Sequence, residues 1–469
     1  MNPNKPIKIP ELCLVVLVGA TGSGKSTFAA RHFLVTEVVS SDFCRGLVAD
    51  DENDQKATDA AFEVLYLIAA KRLDAGRLTV VDATNVQPES RRGLIELAKA
   101  HDALAVAVVL DLPEQLCAAR NSSRPDRQFG RHVLRNQREQ LRRSLKAIRR
   151  EGFHRVFVLS SEEEIAAARF EREPLWNDRK SDHGPFDIIG DVHGCHAELV
   201  ELLANLGYEV DNEGSVAIHP DGRRALFLGD LVDRGPATPA VLRLAMNMVA
   251  SGSAVCLAGN HEVKLLRALQ GRNVTTGHGL DRSLEQLSVE SAEFRTQVAE
   301  FIDSLIGHYV LDEGRLVVAH AGLPEKMHGR ASGAVRAFSL YGDTTGETDE
   351  FGLPVRYPWA QDYRGQAMVV YGHTPVTDPE WLNKTICIDT GCVFGGRLTA
   401  LRYPENELVS VPAREVYYEP AKPVAPQAEA VPTREATDLD LEDVIGKRIV
   451  ATRLTGTVTI REENAIAAL

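Results

Sequence analysis

One stretch near the start of the chain has the glycine spacing of a phosphate-binding loop. The run GATGSGKS occupies residues 19–26, after an apolar stretch typical of a β-strand and before a helical pattern. Backbone amides of such a loop bind nucleotide phosphates, the lysine reaches the β and γ oxygens, and the next hydroxyl binds Mg²⁺. A glycine-rich turn without a ligand is the alternative. We expect ATP with Mg²⁺ at Gly19, Thr21, Gly22, Ser23, Gly24, Lys25, Ser26 and Thr27, with Ser26 as the Mg²⁺ ligand.

Acidic and basic residues follow the next two predicted strands. Asp42 and Arg45 come after EVVS, and Asp82 and Asn85 come at the end of VVDATN. Asp42 can accept the proton of an attacking hydroxyl, while Arg45 can hold a phosphate of the acceptor molecule. Asp82 can support Mg²⁺ or the acceptor. Each aspartate can instead be a helix N-cap.

A basic segment lies in the same half of the chain. Residues 120–155 contain twelve arginines and lysines but only three acids, although the whole chain has a formal net charge of -13. Arg120 and Arg124 have the spacing of a helical lid that stabilises charge on a transferring phosphoryl group. A solvated helix face is the alternative; the single sign of the excess favours a phosphate-binding surface.

A second ordered set of motifs lies further along the chain. GDVHG, GDLVDRG and GNHE are followed by VVAHAG and VVYGHTP. Their aspartate, histidine and asparagine side chains, without a thiolate, suit a pair of Mn²⁺, Fe or Zn²⁺ ions, and Asp230 can bridge the two. Arg234 and His261 can bind the phosphate or protonate the leaving oxygen. A single histidine at a strand end is usually a hydrogen-bonded core residue, but the complete set favours a dinuclear centre.

The elements that position these residues form two patterns. From residue 12 to 159, β-branched runs alternate with helical stretches, which predicts a parallel sheet with helices on both faces. From 186 to 402, apolar runs end in Asp, His or Asn, which places these side chains at one sheet edge. We expect a kinase-type domain at 1–165, a connector at 166–185, a phosphatase-type domain at 186–404, a linker at 405–443 and the start of a further region at 444–469.

Composition excludes several classes of protein. The 469 residues are 44% hydrophobic and 25% charged, which is typical of a folded globular protein and not of a fibrous or disordered one. No apolar run reaches the roughly 20 residues that cross a bilayer, so we expect no membrane association. Seven scattered cysteines without a CxxC pair indicate a reducing, cytoplasmic location.

The motifs resemble two known families. The metal-ligand set over residues 186–402 resembles the binuclear metallophosphoesterases, including the phosphoprotein phosphatases. SSDFCRGLVADDENDQ, VVDATNVQ and AARNSSRPDRQFG, followed by GDVHGCHAEL and IDTGCVFGGRLTALRYPE, resemble the bacterial polynucleotide kinase–phosphatase of RNA end-healing. That resemblance implies an α/β fold: a P-loop kinase domain with a parallel sheet, then a metallophosphoesterase domain with layered sheets and helices. It also implies phosphorylation of 5′-hydroxyl RNA ends and removal of 2′,3′-cyclic, 2′- or 3′-phosphate.

The resemblance also implies roles for individual residues. The kinase residues would be Lys25, Ser26, Asp42, Arg45, Asp82, Arg120 and Arg124. The metal ligands would be Asp191, His193, Asp230, Asn260, His320 and His373, with Mn²⁺ as the expected ion. Asp191 and His193 would hold one ion and Asn260, His320 and His373 the other, sharing Asp230. Arg234 and His261 would act at the phosphate without binding metal.

Partners follow from the same resemblance. RNA ends are the expected substrates, and an RNA 2′-O-methyltransferase is a family partner. The sequence does not decide between a monomer and a homodimer. The family also carries a ligase-like adenylyltransferase domain; this chain ends within what resembles its lead-in, and no lysine nucleotidyl-acceptor motif is present. We therefore expect no sealing activity from these residues.

Two other functions fit part of the sequence. One is a phosphoprotein phosphatase regulated by nucleotide at a P-loop that transfers nothing. The other is a nucleic-acid-binding or scaffold protein with inert pockets. Asp42, Arg45 and the basic segment favour the kinase over the first, because a regulatory loop needs no acceptor base. The intact metal-ligand set argues against the second.

Overall fold

The N-terminal part folds around a parallel sheet. The computed structural model describes residues 6–123, 129–349 and 354–420. Its first sheet has the order β3-β4-β2-β5-β6, formed by β2 (Cys13–Val18), β3 (Val38–Ser40), β4 (Thr79–Asp82), β5 (Leu104–Leu110) and β6 (Arg155–Leu159). Apolar side chains on both faces pack against helices in two separate cores, which is why the strands read as continuous apolar runs.

Helices connect these strands. They are α1 (Lys25–His32), α2 (Ser41–Ala49), α3 (Thr58–Asp74), α4 (Pro88–Ala100), α5 (Glu114–Ser122), α6 (Arg131–Ser144) and α7 (Glu162–Ala167). The strands β2, β3 and β4 run parallel, so the residues that follow them meet at one edge of the sheet. Helix α1 begins directly after the glycine-rich loop, at Lys25.

A small separate sheet joins distant parts of the chain. Strand β1 (Ile7–Pro10) pairs in parallel with β7 (Phe170–Glu173), and Lys8 Nζ lies 2.6 Å from Glu173 Oε1. Strand β7 and the short β8 (Asp178–Arg179) lie inside 166–185, where the sequence predicts a connector. Their pairing partners are far away in sequence, so the local residue pattern carries little signal of them.

The second part contains two larger sheets. One has the order β13-β12-β9-β21-β22 and the other β19-β20-β18-β15-β14-β8. Besides these, β10 pairs with β11 and β16 pairs with β17 in two separate two-stranded sheets. The strands of this part are β9 (Phe186–Ile189), β10 (Glu209–Val210), β11 (Ala217–Ile218), β12 (Arg224–Phe227), β13 (Ala254–Cys256), β14 (His308–Leu311), β15 (Leu316–Ala319), β16 (Thr344–Thr348), β17 (Pro354–Arg356), β18 (Met368–Tyr371), β19 (Trp381–Leu382), β20 (Thr385–Cys387), β21 (Arg397–Tyr403) and β22 (Glu407–Pro412).

The two sheets pack face to face, with helices on their outer sides. Ile188 and Leu226 from one sheet share a core with Val318 and Ile386 from the other. The helices are α8 (His196–Leu206), α9 (Thr238–Ser251), α10 (Asn260–Leu269), α11 (Leu280–Ser288), α12 (Ala292–Ser304), α13 (Gly333–Tyr341) and α14 (Trp359–Asp362). They pack on the outer faces in two further cores. The predicted fold class, a P-loop domain followed by a layered α/β domain, is confirmed.

Strand β22 extends the first of these sheets beyond residue 404. It pairs antiparallel with β21, from Leu398 opposite Val411 to Arg402 opposite Glu407. This strand lies inside 405–443, where the sequence predicts a linker. The many prolines and glutamates that follow the strand are typical of a linker and outweigh the signal of six residues. The predicted region 444–469 lies outside the described residues.

Arginine and serine side chains connect the two parts. Arg330 Nη1 donates to the carbonyl oxygens of Leu73 and His101 at 3.0 and 2.8 Å, and its Nη2 donates to that of Asp74 at 2.7 Å. Ser332 Oγ donates to Asp102 at 2.6 Å. Arg330 thereby satisfies carbonyls at the C-terminal ends of α3 and α4, which have no partner inside the helix. Among the described residues, none of the helices combines the length and apolarity that crossing a membrane requires.

Candidate active sites

The glycine-rich loop encloses the amine of Lys25. Lys25 is buried, and its Nζ donates to the carbonyl oxygens of Gly19 and Ala20 at 2.8 and 3.1 Å. Gly22 has φ +80°, and a Cβ there would lie 2.2 Å from the carbonyl oxygen of Cys117. Only glycine therefore allows α5 to pack this closely against the loop.

The acidic and basic residues predicted after β3 and β4 lie at the edge of the same sheet. Asp42 is in the first turn of α2, and Arg45 Nη1 donates to its Oδ1 at 2.8 Å. The helix N-cap is Ser40, whose hydroxyl accepts from the N–H of Asp42 at 3.3 Å, so Asp42 itself is not the cap. Asp82 is buried opposite Ser40 in the strand register, and Asn85 Nδ2 donates to the carbonyl oxygen of Leu17 at 2.9 Å.

Helices α5 and α6 border the glycine-rich loop. Arg120 Nη1 lies 3.3 Å from the position of a Cβ at Gly24, and its guanidinium also forms an ion pair with Glu162. Gln137 Oε1 on α6 accepts from the N–H of Thr21 at 2.8 Å. The basic segment is thus in contact with the loop at two points. The other predicted lid residue, Arg124, lies outside the described residues.

In the second part, two overlapping groups of side chains could each hold an ion. The ligand atoms of His193, Asp230 and His261 lie within 4.8 Å of one another, and so do those of Asp230, His320 and His373. Asp230 belongs to both groups and is almost completely buried. Its position at the end of β12 brings its carboxylate between histidines from four separate segments.

Hydrogen bonds orient the three imidazoles nearest Asp230. The Nδ1 atoms of His193 and His320 contact the carbonyl oxygens of Val232 and Leu228 at 2.8 and 3.1 Å. Their Nε2 atoms lie 3.6 and 3.3 Å from the Asp230 carboxylate. A carbonyl on Nδ1 fixes the proton there and leaves the Nε2 lone pair directed at the site, as in metal-binding histidines.

His261 is held in the same way by an acid that sequence reasoning did not assign. Its Nδ1 lies 2.6 Å from Asp233 Oδ2, and its Nε2 lies 3.9 Å from Asp230 Oδ2. Asp233 belongs to the GDLVDRG motif, so the spacing of that motif carried a signal for this role. The geometry allows His261 either to donate a proton or to bind an ion.

The donor atoms of the second group fit a cation. Asn260 Oδ1 and His373 Nδ1 both lie 3.0 Å from His320 Nε2. The proton of His320 lies on Nδ1, against a carbonyl oxygen, so its Nε2 has a lone pair. His320 Nε2, Asn260 Oδ1 and His373 Nδ1 can therefore all donate lone pairs to one divalent ion. Oxygen and imidazole ligands without thiolate are typical of Mn²⁺, Fe and Zn²⁺ sites.

Buried acids surround this centre. Burial raises the pKa of the Asp230 carboxyl, but its interactions with the adjacent imidazoles of His320 and His261 outweigh burial and bring this pKa well below its usual value. Burial and the charges of Asp389 and Asp230 raise the pKa of Asp191 well above its usual value. Asp191 also accepts from the N–H of His373 at 3.1 Å. Carboxylates crowded together in this way favour a bound cation, because each opposes ionisation of its neighbour.

Asp389 and Glu262 are two buried acids of the centre that the sequence reasoning did not assign. Burial raises the pKa of Asp389 to about 6, and burial with the charge of Asp230 raises that of Glu262 to about 7. Glu262 accepts from the N–H groups of Asp230, Leu231 and Gly259, each at 2.8 Å. It thus fixes two motif loops to each other. Asp389 ends the apolar run TICID, which was the available signal.

Two guanidinium groups influence the centre. Arg234 Nη1 lies 2.6 Å from His193 Nε2, on the side of the first group. Arg356 on β17 donates to the carbonyl oxygen of Tyr341 and acts on the second group by its charge, since burial, His320 and Arg356 together lower the pKa of His373 well below its usual value. Sequence reasoning found Arg234 and missed Arg356, which lies outside the ordered motifs.

Comparison with known proteins gives matches for both parts. Residues 14–148 match the AAA domain family, and residues 184–399 match the calcineurin-like phosphoesterase family. A protein of Anoxybacillus flavithermus named asymmetrical bis(5'-nucleosyl)-tetraphosphatase PrpE is 48% identical over 236 residues, covering 50% of this chain and 96% of its own length. A protein of the same name from a Geobacillus species is 48% identical over 235 residues, covering 49% and 95%.

Proposed function

Since the chain belongs to the calcineurin-like phosphoesterase family through residues 184–399, we propose that it is an RNA end-healing enzyme with two activities. The P-loop domain phosphorylates 5′-hydroxyl ends with ATP. The phosphoesterase domain removes 2′,3′-cyclic, 2′- or 3′-phosphate from the other end. The observation that carries this proposal is the Asp42–Arg45 pair, at 2.8 Å, on the helix that follows β3, in the same chain as a phosphoesterase centre.

In the kinase domain, the loop amides and Lys25 hold the ATP phosphates, and Ser26 binds Mg²⁺. Asp42 accepts the proton of the RNA 5′-hydroxyl as the oxygen attacks the γ-phosphorus, and the bond from the γ-phosphorus to the β–γ bridging oxygen breaks to release ADP. Arg45 fixes the Asp42 carboxylate through its 2.8 Å contact. Arg120 places positive charge beside Gly24, where negative charge develops on the transferring group.

In the phosphoesterase domain, two divalent ions would be held by Asp191, His193, Asp230, Asn260, His320 and His373, and would supply positive charge and lower the pKa of the water that attacks phosphorus as the P–O bond to the leaving oxygen breaks. Arg234 binds the substrate phosphate from the side of His193. His261 donates a proton from Nε2 to the leaving oxygen, while Asp233 holds its Nδ1 at 2.6 Å. Mn²⁺ as the ion, a cytoplasmic location and association with an RNA 2′-O-methyltransferase belong to the same proposal.

Hydrolysis of dinucleoside tetraphosphates is a second candidate. It is favoured by the relatives of that name, which are 48% identical over the phosphoesterase half. Those relatives cover about half of this chain, so their name gives no role to the P-loop domain. An acceptor base such as Asp42 has a use in the first candidate only.

A single assay separates the candidates. The full chain is incubated with γ-labelled ATP and a 5′-hydroxyl RNA oligonucleotide that ends in a 2′,3′-cyclic phosphate. We expect label on the 5′ end and loss of the cyclic phosphate. Lys25→Ala should abolish the first reaction and Asp230→Ala the second, the latter because the shared ligand is lost. Unlabelled RNA, together with rapid cleavage of diadenosine tetraphosphate in a parallel reaction, would contradict the proposal and support the second candidate.

A further inference from the structure

An aromatic and cationic cluster lies beside Arg234. The rings of Phe394 and Tyr418 have centroids 6.5 Å apart and are tilted against each other by 60°. Arg234 Cζ lies 5.2 Å from the centre of the Phe394 ring, and Arg282 Cζ lies 5.5 Å from that of Tyr418. Both aromatic side chains are half-buried, so each keeps an accessible portion.

Backbone contacts tie this cluster to the phosphate side of the centre. The N–H of Tyr418 donates to the carbonyl oxygen of Val393 at 3.0 Å, which places Tyr418 next to Phe394. Arg282 Nη1 donates to the carbonyl oxygens of Arg234 and Tyr417 at 2.7 and 2.8 Å. The segment that follows β22 is therefore held against the loop that carries Arg234.

Arg234 connects the cluster to the metal-binding group. Arg234 contacts His193 Nε2 through its Nη1 and covers the Phe394 ring with its guanidinium. A phosphate bound by Arg234 thus has an aromatic side chain directly behind the arginine. In a nucleotide, one ribose separates the phosphate from its base, so the base can reach Phe394 and Tyr418.

We propose that Phe394, Tyr418 and Arg282 form a subsite for the nucleobase of the nucleotide whose phosphate lies at the metal centre. This inference rests on the proposed function, because the subsite requires a nucleotide substrate. Aromatic rings and arginine stack on the face of any base, so the subsite takes all four bases. It selects nucleotides over other phosphate esters.

The test measures inhibition constants in the hydrolysis of p-nitrophenyl phosphate by the full chain. The inhibitors are adenosine 5′-monophosphate and ribose 5-phosphate, which carry the phosphate on the same oxygen of ribose, while only the first carries a base. For the wild type we expect the nucleotide to inhibit at a concentration roughly tenfold lower, as one stacked base provides. In Phe394→Leu and Tyr418→Leu, this ratio should fall toward one.

The ratio separates base binding from a structural role. Loss of support for Arg234 would weaken both inhibitors equally and leave the ratio unchanged, which would overturn the subsite. A wild-type ratio near one would also overturn it. Trp381→Leu, which removes a 45% exposed aromatic ring from β19, serves as the control and should keep the wild-type ratio. The ratio does not depend on RNA end-healing, since the RNA assay above tests that function separately.

Discussion

At the scale of single residues, the chemistry of both sites depends on side chains held by one fixed partner. Asp233 fixes His261, and Arg45 fixes Asp42, at 2.6 and 2.8 Å respectively. In each pair the partner orients the group to which we assign a proton transfer. Removing the moving group and removing its partner should therefore have different effects on rate and on binding.

His261→Ala tests the assignment of His261 as a proton donor. We expect turnover of a phosphate ester to fall by about 10² to 10⁴-fold, the usual contribution of general acid catalysis. The metal content, measured by elemental analysis of the purified variant, should stay at the wild-type value. A loss of one ion would instead identify His261 as a ligand of the group with His193 and Asp230.

Asp42→Asn tests the acceptor base of the kinase. The variant keeps size and most hydrogen bonding but cannot take up the proton, so kcat for 5′ phosphorylation should fall by about 10²-fold or more. ATP affinity, measured by equilibrium binding, should change little. Asp50→Asn, at the exposed C-terminal end of the same helix, is the matched control. Near-normal turnover of Asp42→Asn would exclude Asp42 as the base.

At the scale of elements, sequence pattern predicts the parts of each site that lie at strand ends. The loop before α1, Asp42 after β3, and Asp191 and Asp230 after β9 and β12 follow apolar runs that are legible in the sequence. Other contributions come from pairing or folding over long separations, which local patterns do not encode. Arg356 on β17 acts by its charge on His373, and Tyr418, which packs against Phe394, lies in a segment that the sequence assigns to a linker.

Strand β14 carries a histidine that makes stability depend on pH. His308 is buried, and Asn177 Nδ2 lies 2.8 Å from its Nε2, so the ring is neutral and accepts this hydrogen bond. Burial and the nearby His328 lower the pKa of His308 from 6.5 to about 3. Between these values the unfolded chain takes up a proton that the folded chain excludes, so stability falls as the pH decreases below about 6.5.

The expected loss from His308 at pH 5 is about 2 kcal/mol relative to pH 7. His308→Gln keeps an acceptor for Asn177 but does not titrate, so its melting temperature should decrease less than that of the wild type over this range. Calorimetry at both pH values measures the difference. Equal decreases in the two proteins would show that His308 does not contribute.

At the scale of the whole molecule, the two domains are connected by hydrogen bonds from an arginine of the second domain to backbone carbonyl oxygens of the first. Arg330 donates to the carbonyl oxygens of Leu73, Asp74 and His101, at the ends of α3 and α4. These helix ends lie away from the glycine-rich loop, which is at the beginning of α1. The contact gives no direct route from the nucleotide loop to the phosphoesterase centre.

Lys25→Ala should therefore separate the two activities. Phosphorylation of 5′-hydroxyl RNA should be lost, because the proposed mechanism uses Lys25 to bind the transferred phosphate. Hydrolysis of a 2′,3′-cyclic nucleotide should stay within about twofold of the wild type, as expected for separately folded domains. Parallel rates on the same preparation provide the comparison, and an equal fall in both would disprove independence.

The pairing of β1 with β7 has a consequence during synthesis on the ribosome. Lys8 and Glu173 are 165 positions apart, and translation at about 5 to 20 residues per second takes roughly 8 to 33 s to cover that distance. During this time Ile7 and Ile9, both buried in the finished fold, have no partner strand. Lys8 and Pro10 alternate with these isoleucines, and such residues hinder edge-to-edge association with neighbouring chains. The nascent chain thus carries residues that oppose aggregation of β1 until its partner strand β7 emerges.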